Sequence, residues 1–177
     1  MNAPTSAAAI APVGAIDPAE WTLRVELAAA YRIADHLGWS ELIYTHISLR
    51  VPGPEHHFLI NPYGLRFDEV TASNLLALDE KGNVLEGDGE AEKTAFYIHS
   101  RIHLANPKAA CVLHTHMPYA TALTLTEPGR LEMVEQNALR FADDIAYDDT
   151  YNGLVVDNAE GDRLARVLGT KRVLFLA

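Results

Sequence analysis

Cysteine is all but missing. Cys111 stands alone among 177 residues, which excludes an internal disulfide and fits a reducing, cytoplasmic setting. No apolar run approaches the roughly 20 residues that a membrane-spanning helix needs. The opening Met-Asn-Ala-Pro-Thr-Ser has no basic segment and is not a standard secretion signal. Basic charge is also short. Fourteen Lys and Arg against 24 Asp and Glu leave a net charge of −10, the wrong sign for nucleic acid or an anionic membrane as a general partner. Phosphate-cradling glycine fingerprints are absent too, because Gly87-Asp88-Gly89 is too short and lacks a third glycine. What is present is ordinary globular composition, 49% apolar and 21% charged, long enough to bury a core without disulfides. The surplus is in histidine: eight residues.

Along the chain, Met1 to Ile16 is an aperiodic Ala/Pro/Ser/Gly stretch that reads as a flexible arm, and residues 17–177 read as one domain. Asp17, Pro18 and Glu20 form a helix start. Leu23, Leu27, Ala30, Ala34 and Leu37 continue it at helical spacing, and Gly38 closes it. Tyr44 to Val51 alternates like a strand, and His57 to Ile60 is a second strand ending in the turn Asn61-Pro62-Tyr63-Gly64. Thr71 is expected to cap a short helix through Leu76. Ala77-Leu78-Asp79 and Asn83-Val84-Leu85 flank a hairpin turn. Glu92 to Leu104 reads as a helix stopped by Asn106-Pro107, and Ala109 to His116 as a strand with Cys111-Val112-Leu113 as its buried centre. Pro118 to Glu127 favours helix. A capped helix runs from Asp157 to Gly169, and Val173 to Ala177 reads as an interior strand, apolar on both faces. Chains rarely stop inside such a strand, so more chain is expected to follow. Irregular alternation of helices and strands around a hairpin gives an α/β or α+β class.

His114-Thr115-His116 is the sharpest chemical feature. Strand positions i and i+2 face the same way, so two imidazoles can converge on one ion; the alternative is a pair of solvent-facing histidines at a strand end. His99 and His103 share a helical face at i and i+4. The glutamate that a helical zinc motif places after its first histidine is Ser100 here, so packing or hydrogen bonding is the expected role. His36, His46, His56 and His57 are read the same way. Cys111 is expected to be a small buried hydrophobe.

The runs Gly38-Trp39, Tyr44 to Arg50, Phe58 to Leu65, Phe96 to His103 and His114-Thr115-His116, in this order and spacing, resemble the class II aldolase/adducin family head domain, most of all its adducin-like branch, over about Trp21 to Ala177. The resemblance implies a three-layer α/β/α domain around a mostly antiparallel sheet, assembled as a homotetramer with sites between subunits. It implies a divalent metal ion, Zn²⁺ first with Mn²⁺ or Fe²⁺ as alternatives, held by His114, His116 and a third histidine. That third ligand would lie in an Asn-His-Gly segment after a strand like Val173 to Ala177. The family's proton-handling glutamate falls on Ala95, so Glu92, about one helical turn earlier, becomes the candidate acid-base group, with His99 supporting the site or helping in proton transfer. Against this, a first-turn glutamate is also favoured by the helix dipole alone. Thr45-His46 and Tyr63 replace the residues that sugar-phosphate aldolases use around the phosphate, which argues against a phosphorylated sugar. Two functions follow as expectations. One is a metal-dependent lyase acting on a small carbonyl or carboxylate compound; the other is a non-catalytic adducin-like interaction or assembly domain.

Overall fold

The computed structural model describes residues 16–53 and 56–176; most of the expected arm, and the last residue of the expected C-terminal strand, lie outside them. Helix α1 (Pro18–His36) forms where the capping signals put it. The Asp17 carboxylate accepts the Ala19 N–H at 2.8 Å, Pro18 occupies the first turn, and Gly38 at φ +71° lets the chain reverse. Tyr31, buried in the middle of α1, carries a hydroxyl that accepts the N–H groups of Ile47 (2.9 Å) and Asn61 (3.2 Å). That single group ties α1 to β1 (His46–Arg50) and to the end of β2 (His57–Ile60).

With β3 (Leu76–Asp79), β4 (Val84–Glu86) and β5 (Cys111–His114), these strands make a five-stranded antiparallel sheet in the order β4-β3-β2-β1-β5. The expected hairpin is the β3–β4 pair. Helix α1 and a single 3-10 turn (Phe67–Glu69) cover one face through Leu27, Tyr31, Ile47, Leu59, Phe67 and Val70. Helix α2 (Lys93–Ala105) covers the other through Ala95 and Phe96, packed on Phe58, Ile60, Leu76 and Leu78. Short helices α3 (Pro118–Thr124) and α4 (Gln136–Leu139) follow. Helix α5 (Asn158–Leu168) then packs along α2 through Ala165 and Leu168 against Ile102, and beside it β6 (Ile145–Asp148) and β7 (Val173–Leu176) form a parallel pair. The class is α/β, an antiparallel central sheet between helices, as expected.

Several local expectations fail. Residues 71–75 make a turn instead of a helix, because the Asn74 side chain accepts the Thr71 N–H at 2.8 Å and Leu76 is already committed to β3. Cys111-Val112-Leu113 is not a buried centre. Cys111 is exposed and Leu113 is 45% exposed, because β5 is an edge of the sheet among the described residues. The residues of β7 are half-buried, not sealed on both faces. Strand β6 and the 3-10 turn carried no signal that alternation or capping could register.

Candidate metal centre

Residues of alternate parity on β1 and β5 divide between the two faces of the sheet. Ile47 enters the core beneath α1, whereas His46 and Ser48 face α2. In the antiparallel register His46 lies opposite His114, and Ser48 opposite Val112. Four histidines gather here: His46, His99, His114 and His116. The His46 and His114 rings stack with centroids 5.7 Å apart, and His46 meets His99 edge-on at 6.0 Å. His116 lies just beyond the end of β5, yet its ring turns back edge-on toward His114, with the two Nε2 atoms 2.9 Å apart. Two nitrogens each about 2.0–2.1 Å from one ion can be at most about 4.2 Å apart, and this pair lies within that limit. On the far side of the His116 ring, Nδ1 meets the Glu41 carboxylate at 2.5 Å.

The tautomer of His99 can be worked out from its partners. His103 Nδ1 is 2.7 Å from the carbonyl oxygen of Ala109, which can only accept, so Nδ1 carries the proton and Nε2 is a lone pair. The Ser48 hydroxyl, 2.8 Å from that Nε2, therefore donates to it and accepts from His99 Nδ1, also at 2.8 Å. His99 is thereby an Nδ1–H imidazole whose remaining nitrogen, Nε2, carries the lone pair. Burial, reinforced by the neighbouring imidazoles, holds His99 well below the ordinary histidine value. Burial likewise lowers His46, His103 and His114 to about 4. These rings are neutral at physiological pH, the form in which imidazole binds a metal or accepts a proton.

Among the described residues, both ring nitrogens of His46 are buried without a hydrogen-bond partner. Glu92 caps α2, with Oε2 accepting from the Ala95 N–H at 2.8 Å and the Thr94 hydroxyl at 2.5 Å, and its charge raises the His46 pKa against the burial effect. Ala95 itself packs in the apolar cluster beneath α2. Among the described residues, no three His, Cys, Asp or Glu side chains are arranged to hold an ion. What the described residues offer is one close pair of imidazole nitrogens, from His114 and His116. The sequence brought His114, His116 and His99 into view; it gave His46 only a packing or hydrogen-bonding role, and Glu41 and Ser48 had no signal at all.

An antiparallel sheet between helices, in this order of elements, is the fold of solved proteins of the class II aldolase type. Residues 25–177 match the class II aldolase and adducin N-terminal domain, and the chain belongs to that family. It is 42% identical over 170 residues to a Caulobacter vibrioides protein named provisionally as a class 2 aldolase, covering 92% of this chain and 63% of that one. Mouse alpha-adducin is 40% identical over 166 residues, 92% of this chain and 22% of its own. A solved aldolase II superfamily protein from Pseudomonas syringae superposes with a TM-score of 0.85 at 42% identity, over 91% of this chain and 65% of that one. An L-fuculose 1-phosphate aldolase from Glaciozyma antarctica gives 0.78 at 27% identity, over 94% and 65%. The chain thus spans less than two thirds of the length of these relatives.

Proposed function

We propose that this chain belongs to a divalent-metal-dependent lyase, of aldolase or decarboxylase type, acting on a small carbonyl or carboxylate compound. The observation that carries the reading is the convergence of His114 and His116, Nε2 to Nε2 at 2.9 Å, with burial holding the His114 imidazole neutral. Imidazole donors suit Zn²⁺ and also Fe²⁺, with Mn²⁺ the alternative if oxygen donors complete the set. Bound there, the ion supplies Lewis-acid polarisation of a substrate oxygen.

The chain's own residues do the rest. His99, locked as the Nδ1–H tautomer by Ser48, offers Nε2 as the proton acceptor. His46 has one ring N–H and one lone pair free for a substrate hydroxyl or carbonyl, which would relieve the cost of burying both nitrogens unpaired. Glu92 is the second acid-base candidate. Its committed hydrogen bonds fall on Oε2. The assembly proposed is a cytoplasmic homotetramer.

Zinc titration followed by the ring resonances of His114 and His116 tests the reading. Both rings should respond together, and His116→Ala should abolish the response of the remaining His114 ring. A parent chain whose rings ignore zinc would overturn it.

A second reading, a non-catalytic adducin-like assembly domain, is favoured by the likeness to alpha-adducin and by the buried, apolar Ala95 where the family resemblance puts a glutamate. The same titration separates the two, since an assembly domain has no need for a metal-responsive histidine pair.

A further inference from the structure

Glu41 lies 75 residues before its partner in the sequence, in the segment joining α1 to β1. That segment is braced. The Trp39 N–H donates to the Ala34 carbonyl at 2.9 Å and the Ser40 hydroxyl to Asp35 at 2.9 Å. The Glu41 carbonyl accepts the Tyr44 N–H at 3.0 Å, and Leu42 sits at φ +47° in the left-handed region. The backbone of Glu41 is thus fixed by its neighbours, and its carboxylate projects onto Nδ1 of His116. With side chains 53% and 40% exposed, an ordinary ion pair here would add little to stability. Its geometry points elsewhere. The carboxylate meets the nitrogen opposite the one that faces His114.

We infer that Glu41 is the positioning residue of the metal centre: its carboxylate accepts the His116 Nδ1–H, fixing the tautomer and ring orientation that leave Nε2 as a lone pair turned toward His114. A carboxylate cannot donate, so a neutral His116 bonded to it carries its proton on Nδ1. Nε2 is then the nitrogen left to bind an ion or, without one, to accept a hydrogen bond from the His114 Nε2–H across the 2.9 Å gap. An acceptor on the far ring nitrogen is how metal-binding histidines are generally oriented and made better donors. Glu41 cannot itself reach an ion at Nε2 in this arrangement, because the width of the ring lies between them.

The inference rests on the proposed ion-binding reading, and two measurements keep their failures apart. The first is the ring tautomer of His116 in the metal-free protein, from nitrogen–proton correlation spectra at pH 8. The parent and Glu41→Gln, whose amide oxygen still accepts, should hold the Nδ1–H form, and Glu41→Ala should lose it. The second is the zinc dissociation constant. Glu41→Ala should weaken binding about 10- to 100-fold, Glu41→Gln by clearly less, and His116→Ala should abolish the response of the His114 ring. An unchanged constant in Glu41→Ala alongside lost binding in His116→Ala overturns the role of Glu41 and leaves the site standing. An Nε2–H tautomer in the parent also overturns it. A parent that binds no zinc overturns the site, while the tautomer measurement still decides whether Glu41 orients His116.

Discussion

Ser48 is the smallest residue on which the site depends. Its one hydroxyl joins two buried imidazoles, each at 2.8 Å. Ser48→Ala leaves His99 Nδ1–H and His103 Nε2 without partners, and an unsatisfied buried group costs about 1–3 kcal/mol. Urea unfolding should show a loss of that size, and an unchanged midpoint would contradict the assigned tautomers. The same histidines set a pH dependence. His46, His103 and His114 titrate at about 4 when folded and near 6.5 when unfolded. Between those values the unfolded chain binds more protons, so stability is full above about pH 7 and falls as pH drops toward 4. The slope is at most about 1.4 kcal/mol per pH unit for each ring. Urea midpoints at pH 7.5 and 5 check the direction, and equal midpoints would mean that the rings are not buried neutral. Strand spacing offered His114 and His116 as a pair, but β5 ends at His114 and the His116 ring turns back to it from beyond the strand. The sequence could not bring His46 beside them, because that neighbour comes from the pairing of β1 with β5.

Elements with strong local punctuation were legible. The Asp17 and Asp157 caps, the β3–β4 turn and the Asn106-Pro107 stop all act within a few residues, and α1, α5, the hairpin and α2 form where those signals lie. The segment at 71–75 misled because Thr71 is as good a turn residue as a helix cap, and Asn74 claimed its N–H. Strand β6 was silent, since its place depends on pairing with β7. Helix packing adds a constraint that composition hides. A Cβ on Gly161 of α5 would lie 2.3 Å from the Tyr97 carbonyl oxygen and 2.7 Å from Arg101 Cγ on α2. The carbonyl belongs to helix backbone and cannot swing away. Gly161→Ala should therefore force the helices apart at a cost of about 1–3 kcal/mol, and thermal unfolding should show a lower midpoint. A variant as stable as the parent would mean that α2 and α5 pack less closely than described.

At the scale of the molecule, the proposed metal centre is assembled from both ends of a long stretch of chain. The α1–β1 segment supplies Glu41, β1 supplies His46 and Ser48, α2 supplies His99, and the end of β5 supplies His114 and His116. Two imidazoles leave half of a tetrahedral set to be filled. Zinc binding by these 177 residues should accordingly be weak and reversible, as calorimetry would show. Tight one-to-one binding would require a further protein donor, from this chain or a neighbouring copy.

By itself the sequence determined the family, the α/β class and the capped helices, because the motifs and caps that carry them are written in spacings of a few residues. Tertiary structure alone decided that His46 stacks on His114, that Ser48 fixes the His99 proton and that Glu41 reaches His116. Those contacts depend on strand register and helix docking, which are set by the burial of the whole core and not by any neighbouring residue.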